Sequence, residues 1–307
     1  METILIIGAS GFVGGRLARA LLAEGHAVRC LARDPARVQD LVALGGTAVQ
    51  GDISDPASLQ KALAGVQAVY VSIHTLSPQP GSAAGLGFME VELTGLQNIA
   101  GACAAAGVRR LICVTSLGVT ADAVSEWLRG RWQAEQFLLQ NSALDVTILR
   151  PGMIVGRGGR GFEMVLSQAK QAVAMGLGSR QEMRTIAVDD LVYYLMSVRD
   201  DRAAYGQVYD VGNDDVLTRN QMLDATAHVL GCRPPLKLSI PPALLGVLGP
   251  LLERAIKMPP GALKGFVDSQ AADTSGDPRP IRALLPRTLL PFRQAVQQAL
   301  ITDERKT

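Results

Sequence analysis

The chain has 307 residues, of which 48% are hydrophobic and 19% are charged. This composition excludes a disordered chain, and the length suits either two domains or one α/β unit with an appendage. The 30 basic and 28 acidic residues leave a net charge of +2. Charge therefore gives no reason to expect nucleic acid or an anionic membrane as a partner.

The first 150 residues alternate short apolar runs with helical patterns. Strands are predicted at 4–7, 27–32, 47–50, 68–73, 110–116 and 145–150, and helices at 12–24, 34–44, 55–65, 86–106 and 125–140. A Pro-, Gly- and Ser-rich loop is predicted at 74–85. This rhythm predicts an α/β fold of the Rossmann type, a doubly wound parallel sheet with helices on both faces. Ligands of such sheets bind at the carboxyl ends of the strands.

The pattern is looser after residue 150. We expect a helix around 162–175, a short strand and a helix within 185–199, a strand at 206–212, and helices near 218–230 and 291–300. Asp189 and Asp190 are predicted to cap the helix that they begin. We therefore predict a core in residues 1–155. Residues 156–307 are expected to add late core elements at about 185–215 and a small C-terminal substrate or partner lobe.

Cysteine and histidine spacing excludes the common metal sites. The four cysteines lie far apart and form no metal-binding pattern with the three histidines (Cys30, Cys103, Cys113 and Cys232). Cys30, Cys103 and Cys113 are expected to be buried, which weakly favours a reduced, cytoplasmic protein. The first residues lack the features of a secretory signal. The longest apolar stretch, 236–252, is interrupted by prolines, so no transmembrane span is predicted.

A glycine-rich turn follows the first predicted strand. Gly8, Gly11 and Gly14 form the sequence GASGFVG, which ends one strand and opens a helix. In this context the glycines allow a tight turn, an approach of backbone amides to a pyrophosphate, and close packing of helix on strand. The predicted contacts to the dinucleotide are Gly8, Ser10, Gly11, Phe12, Val13 and Gly14.

The end of the second strand bears on the choice between NAD and NADP. An NAD site usually carries an acidic residue there, whereas this strand ends in Cys30-Leu31-Ala32-Arg33. A guanidinium can pair with a 2′-phosphate through two parallel hydrogen bonds. We therefore predict NADP(H) in preference to NAD, with a solvated surface charge as the alternative role of Arg33.

Further cofactor contacts are predicted after the third and fourth strands. Asp52 and Ile53 follow the third strand, where Asp52 either meets the adenine or is a turn aspartate that caps the next helix. Ser72, Ile73 and His74 follow the fourth strand and are expected to pass under the cofactor. For His74 a structural role is favoured over a catalytic one.

These motifs resemble the short-chain dehydrogenase/reductase superfamily in its extended or atypical branch. The resemblance covers about residues 1–215 and rests on GASGFVG, Asp52, VYVSIH, GVRRLICVTSLG and LRPGMIVG. The chain looks most like the NmrA-like NAD(P)-binding proteins and is also similar to the NADPH-binding accessory subunit of respiratory complex I. The resemblance implies a nicotinamide cofactor, with Pro151 passing near the nicotinamide.

The catalytic pattern of that superfamily is incomplete here. Ser116 matches the serine after the fifth strand, and Glu135 fits a glutamate often found beyond the catalytic lysine. In that register Trp127 replaces the tyrosine and Arg131 replaces the lysine, which leaves Arg131 to bind cofactor oxygens. An indole is not a useful acid, and an arginine does not lose its proton.

Two classes of function follow from this pattern. The first is an NADPH-dependent oxidoreductase that reduces a small apolar, quinone-like or conjugated acceptor, with Ser116 as the candidate catalytic residue. The alternative is a non-catalytic cofactor-binding protein with a protein partner, such as a redox sensor, an assembly factor or an accessory subunit. A sugar-nucleotide epimerase is a third, less favoured hypothesis. No metal is predicted.

Overall fold

The computed structural model describes residues 2–73, 88–176, 181–239, 268 and 272–304. Within them the chain forms two compact units. Unit 1 contains the residues up to Thr115, Gly130–Arg150 and Val192–Tyr209. Unit 2 contains Ser116–Arg129, Pro151–Leu191 and the residues from Asp210 onward.

The described residues contain strands β1 to β12 and helices α1 to α10. The strands are β1 (Thr3–Ile7), β2 (Ala27–Ala32), β3 (Thr47–Gln50), β4 (Ala68–Val71), β5 (Arg110–Val114), β6 (Asp145–Pro151), β7 (Met153–Val155), β8 (Val173–Gly176), β9 (Glu182–Ala187), β10 (Gln207–Val211), β11 (Val216–Thr218) and β12 (Leu236–Ser239). The helices are α1 (Phe12–Ala23), α2 (Gln39–Ala43), α3 (Pro56–Leu63), α4 (Phe88–Ala106), α5 (Glu126–Leu139), α6 (Arg160–Ala169), α7 (Val188–Ser197), α8 (Arg219–Val229), α9 (Arg279–Leu284) and α10 (Phe292–Glu304).

The central sheet has seven strands in the order β10-β6-β5-β4-β1-β2-β3. Strand β1 pairs in parallel with β2 on one side and with β4 on the other. The chain therefore winds outward from β1 in both directions, which confirms the predicted doubly wound, Rossmann-type α/β fold. The reversal between β1 and β4 is the point at which such sheets bind their ligands.

Alternation along the strands builds the core of unit 1. Leu5 and Ile7 of β1 point to the same face as Val69 and Val71 of β4, and all four are buried. Residues of α3, α4 and α5 cover this face, including Leu59, Leu96, Ile99, Cys103 and Leu138. The intervening Ile4 and Ile6 are also fully buried, as expected for a sheet covered on both faces.

A buried arginine anchors the late segment 192–209 to the rest of unit 1. Arg110 of β5 donates to the carbonyls of Val198 and Arg199, at 2.6 and 2.7 Å, and to the hydroxyl of Thr147. Its guanidinium also stacks over the ring of Tyr205, 4.4 Å from the ring centre. Burial lowers the pKa of Arg110 from its usual value. These carbonyl acceptors explain how a charged side chain is accommodated beside the sheet.

Unit 2 has its own sheets and core. Strand β9 pairs antiparallel with β11 and parallel with β7, and β8 pairs in parallel with β12. The core packs α6, α8 and α10 around Phe162, Leu223, Phe292 and Val296, which are at most 1% exposed. A capping box begins α8, where Thr218 and Gln221 satisfy each other's backbone amides.

Two predicted helices differ from the structure. Residues 34–44 form a 3-10 turn, Pro35–Val38, and then the short α2, since Asp34 caps the turn through the amide of Ala36. The helix predicted at 162–175 ends at Ala169, and 173–176 form β8 instead. Pairing with β12, more than sixty residues later, stabilises that strand, and helical periodicity carries no information about such a distant partner.

Two sequence predictions concern membranes and metals. None of the helices in the described part of the chain is long and apolar enough to cross a membrane. Among the same residues no group of three His, Cys, Asp or Glu side chains is arranged to hold a metal ion. Cys30, Cys103 and Cys113 are buried as predicted, and Cys232 is exposed.

Candidate functional site

The loop between β1 and α1 brings three chain segments into close contact. Gly8 has φ +97°, and a Cβ at this position would overlap the Ser72 carbonyl oxygen at the end of β4. A Cβ on Gly14 would overlap the carbonyl of Gly8 itself. The amide of Gly11 donates to that same carbonyl at 2.9 Å. The loop is therefore a tight turn in which both positions require glycine.

The first turn of α1 presents backbone amides rather than a side-chain cap. Gly11 is the residue before the helix, and it gives the helix amides no side-chain hydrogen bond. Ser10 precedes Gly11 in the loop, and Phe12 and Val13 are the first two residues of the helix. The amides at a helix start and the positive end of the helix dipole favour an anion. A Cβ at Gly8 or Gly14 would fill the space inside this turn, and no side chain caps the amides of the helix start. The turn therefore fits the pyrophosphate of a dinucleotide.

Arg33 and Asp52 lie side by side where β2 and β3 end. The Arg33 Nε is 4.0 Å from Asp52 Oδ2, and their side chains are 41% and 38% exposed. Asp52 Oδ1 also accepts from the amide and the hydroxyl of Ser54, both at 2.8 Å. The cap of α3 is Asp55, which accepts from the amide of Ala57. Asp52 is thus a turn residue, and the helix-capping role that the sequence allowed for it belongs to Asp55.

Ile53 lies against the next helix of the sheet. A Cβ on Gly95 of α4 would press into the Ile53 side chain, and Asn98 of the same helix donates to the Ile53 carbonyl at 2.9 Å. Ile53 packs against the core of unit 1. Contacts to α4 therefore fix the backbone of Ile53, which the sequence predicts to contact the cofactor near its adenine.

Ser72 and Ile73 continue β4 toward the glycine loop. The Ser72 amide donates to the carbonyl of Ile7 at 2.9 Å. Arg131 of α5 is buried and donates from Nη2 to the Ile73 carbonyl at 3.3 Å. Unit 1 thus brings Ser72, Ile73 and Arg131 together with the glycine loop. The predicted contact His74 lies outside the described residues.

Two ion pairs lie on one face of α5, and the glutamate of each is buried. Arg131 Nε is 3.1 Å from Glu92 Oε1, and these side chains are 2% and 4% exposed. One turn later Glu135 accepts from Arg150 of β6. Glu135 also accepts from the hydroxyl of Thr115 at 2.6 Å.

Sequence reasoning did not identify Glu92, Arg150 or Thr115. The spacing of charged positions on α5 singled out Arg131 and Glu135. The sequence around Glu92, Arg150 and Thr115 contains no pattern that predicts their partners. Cys113 of β5 also lies near this charged group, and burial raises the pKa of its thiol to about 12. The thiol is therefore protonated at neutral pH.

Ser116, Trp127 and Pro151 all belong to unit 2. Ser116 follows β5, and its hydroxyl oxygen is shielded from solvent with no hydrogen-bond partner among the described residues. Trp127 is 8% exposed and lies one helical turn before Arg131. The carbonyl of Pro151, the last residue of β6, accepts from the amide of Leu117 at 3.1 Å. A shielded hydroxyl of this kind can accept or donate a hydrogen bond to a small molecule.

Two of the curated proteins that resemble this chain match about half of it. It is 32% identical over 175 residues to sterol demethylase protein B of Methylococcus capsulatus, covering 50% of this chain and 52% of that protein. It is also 32% identical over 148 residues to the photosystem II assembly factor Ycf39 of Cyanophora paradoxa, covering 48% of this chain and 44% of that protein. The matches thus span about half the length of each relative.

Solved structures share the fold over nearly the whole chain. An NADPH-dependent quinone oxidoreductase of Escherichia coli, in complex with NADPH, superposes with a TM-score of 0.74 at 19% identity, covering 97% of this chain and 99% of that one. The UDP-glucose 4-epimerase of Thermus thermophilus, in complex with NAD, gives a TM-score of 0.75 at 18% identity and covers 100% of both chains. At these identities the likeness shows the fold alone.

The family assignment rests on the sequence itself. The profile of a family described as NAD(P)H-binding matches residues 8–190, from the first glycine of the loop to the start of α7. This range includes the glycine loop, both strand-end segments and α5, and the fold agrees with it. The chain belongs to the NAD(P)H-binding family.

Proposed function

We propose that the protein is an NADP(H)-dependent oxidoreductase that transfers hydride to a conjugated, easily reduced acceptor such as a quinone. One observation carries this proposal. The two positions that would hold a proton-donating tyrosine and its lysine are occupied by Trp127 and by Arg131, whose guanidinium is buried against Glu92. The family binds NAD(P)H, but these residues supply no general acid.

The missing acid restricts the reaction that the bound cofactor can support. When NADPH is bound, it supplies a hydride from the nicotinamide. Reduction of an isolated ketone needs a proton delivered to the oxygen as the hydride arrives, and a positioned acid contributes about 10²–10⁴ in rate. A quinone delocalises the incoming charge, and its oxygens take protons from water. The reaction balances as quinone plus NADPH plus H⁺ giving hydroquinone plus NADP⁺.

The cofactor is proposed to lie on the glycine loop. Its pyrophosphate is assigned to the loop and to the uncapped amides of α1, with Asp52 and Ile53 on the adenine side and Ser72 and Ile73 beneath it. The 2′-phosphate is assigned to Arg33, which is exposed enough to turn from Asp52 toward an anion. The nicotinamide is assigned to the side of Pro151.

Ser116 is proposed to donate its hydroxyl hydrogen bond to an oxygen of the acceptor. Its oxygen is shielded and has no partner in the described part of the chain, and a buried hydroxyl left without a partner is costly. An acceptor oxygen would relieve that cost. The quinone oxidoreductase of E. coli shows that a protein with this fold carries out NADPH-dependent quinone reduction, which supports the proposal by analogy.

Steady-state NADPH oxidation tests this function. We expect turnover with benzoquinones, naphthoquinones and conjugated dyes, and none above background with aliphatic ketones. Ser116→Ala should lower kcat/KM for the quinone about tenfold, as expected for one lost hydrogen bond, and leave NADPH affinity unchanged. Failure of every quinone and dye, in a protein that binds NADPH, would overturn the proposal.

A second candidate is a non-catalytic protein that binds the dinucleotide and a protein partner. Two observations favour it, namely the missing acid and the similarity to a photosystem II assembly factor over 148 residues. It predicts tight NADPH binding with no turnover for any acceptor, together with a partner that co-purifies only with the nucleotide-loaded protein. The same acceptor series therefore separates the two candidates.

A further inference from the structure

The charge at Arg131 is neutralised inside the protein. Its Nε lies 3.1 Å from Glu92 Oε1, and both side chains are at most 4% exposed. The same guanidinium donates through Nη2 to the carbonyl of Ile73. These contacts direct the arginine toward a carboxylate on α4 and a backbone oxygen after β4.

That backbone oxygen belongs to the segment which supports the glycine loop. The Cβ that Gly8 lacks would overlap Ser72 O and come within 3.6 Å of the Ile73 amide nitrogen. The peptide group between Ser72 and Ile73 therefore lies directly against the loop. A continuous series of contacts runs from Glu92 through Arg131 and Ile73 to Gly8.

We propose that Glu92 is a positioning residue for the dinucleotide. Its carboxylate holds Arg131 against the Ile73 carbonyl and so fixes the backbone of Ser72 and Ile73, which forms the floor of the glycine loop. This inference rests on the proposed cofactor site. Glu92 itself does not touch the nucleotide in this account. It acts through Arg131, and Arg131 acts through the backbone at Ile73.

The carboxylate is needed because a buried guanidinium requires a counter-charge. Without Glu92, Arg131 would be drawn toward solvent or toward another anion, and the Ile73 carbonyl would lose its donor. A floor that moves by a fraction of an ångström misplaces the amides that receive the pyrophosphate, and binding sites depend on such support from residues behind them. The expected consequence is weaker nucleotide binding rather than a loss of the fold.

The second ion pair of α5 offers a matched control. Glu135 and Arg150 are also paired, with side chains 1% and 19% exposed, and Glu135 lies one turn from Arg131. Glu135 accepts from the Thr115 hydroxyl, and within the described part of the chain neither side chain of this pair hydrogen-bonds to Ile73 or Gly8. Removing it perturbs the same helix while leaving the floor of the loop intact.

The experiment compares two double variants of the full chain, since removing both partners of a buried pair leaves no uncompensated charge. One is Glu92→Gln with Arg131→Met, and the other is Glu135→Gln with Arg150→Met. Calorimetric titration with NADPH gives the affinity, and the melting temperature without nucleotide gives the stability. We expect the first variant to lose affinity about tenfold, as for one lost hydrogen bond to a charged donor, and the second to bind like wild type.

A conservative variant completes the test. Arg131→Lys keeps the positive charge beside Glu92 and one donor for Ile73, so it should recover part of the affinity that the first double variant loses. The inference would be overturned if both double variants bound NADPH like wild type, or if both lost affinity to the same extent. Wild-type protein that takes up no NADPH would instead overturn the proposed cofactor site, so the two failures are distinguishable.

Discussion

At the residue scale, the pair formed by Arg33 and Asp52 bears on which nucleotide binds. Their atoms are 4.0 Å apart and both side chains are about two-fifths exposed, so their attraction is weak and screened by salt. A 2′-phosphate carries more charge than the Asp52 carboxylate and accepts two parallel hydrogen bonds from a guanidinium. The proposed NADP(H) site therefore has Arg33 exchange Asp52 for the phosphate when NADPH binds.

Arg33→Ala is expected to weaken NADPH binding about tenfold and to leave NADH binding unchanged, because only NADPH carries the phosphate. Calorimetry with both nucleotides measures this. Arg37→Ala is the matched control, since Arg37 is an exposed arginine in the neighbouring 3-10 turn. It removes the same formal charge and should change neither affinity. A parallel loss for NADPH and NADH in Arg33→Ala would refute the assignment.

The buried thiols make a separate residue-scale prediction about pH. Burial raises the pKa of Cys30 to about 11 and the pKa values of Cys103 and Cys113 to about 12, from a usual value of 9.0. Below pH 9 these thiols are protonated in both the folded and the unfolded chain. Between pH 9 and 11 they ionise only in the unfolded chain, so the free energy of unfolding falls as pH rises.

Cys103→Ala should reduce this pH dependence. Urea unfolding at pH 8 and pH 10 is expected to show a loss of stability about 1.4 kcal/mol smaller in the variant than in wild type, the contribution of one thiol over one pH unit above 9. Val108→Ala, at a buried residue that does not titrate, should lower stability equally at the two pH values. Identical pH dependence in wild type and Cys103→Ala would contradict the account.

At the element scale, α7 begins with two aspartates of different roles. The sequence predicted that both cap the helix. In the structure Asp190 is 3% exposed and accepts from Arg287 Nε at 2.8 Å and from the Leu290 amide at 3.0 Å. The exposed Asp189 accepts from Gln298 at 2.8 Å. The first turn of α7 thus ties down the segment that leads into α10, a role that no local pattern could predict.

Asp190→Ala is expected to lower the free energy of unfolding by about 2 kcal/mol, because it removes a buried acceptor of a charged donor and of a backbone amide. Asp189→Ala should cost less than about 0.5 kcal/mol, as is usual for exposed contacts. Urea unfolding gives both values, and limited proteolysis reports opening of the chain near residues 285–291. Similar costs for the two substitutions would show that Asp190 does not hold this segment.

Prediction from sequence succeeded at the element scale wherever periodicity was strong and local. The six strands of the first 150 residues follow from short apolar runs, and their alternation with helices predicts the parallel, doubly wound arrangement that the sheet has. Strands β7, β11 and β12 were not predicted, since each has three or four residues and is stabilised by partners distant in sequence. The late elements of unit 2 are for this reason the least predictable part of the fold.

At the scale of the whole molecule, the candidate site has one part that local sequence patterns predict and one part that depends on contacts between distant segments. The glycine loop, Arg33 and the strand ends could be proposed as cofactor contacts from the sequence, because ligands of a doubly wound sheet bind at the carboxyl ends of its strands. The charged group behind the loop could not be predicted, since Glu92 and Arg150 come from α4 and β6 and meet α5 only in the folded chain. The NAD(P)H-binding family and the doubly wound fold are established, whereas the acceptor and any protein partner are proposals.

The proposed function requires a dinucleotide to bind at the turn between β1 and α1. The decisive measurement is calorimetric titration of NADPH into wild type, Gly8→Ala and Gly25→Ala. Both glycines have positive φ, but only at Gly8 would a Cβ meet the Ser72 carbonyl, and at Gly25 there is open space. We predict that wild type and Gly25→Ala bind NADPH with the same affinity and that Gly8→Ala does not bind. Wild-type affinity in folded Gly8→Ala, or no uptake of millimolar NADPH by wild type, would contradict the account.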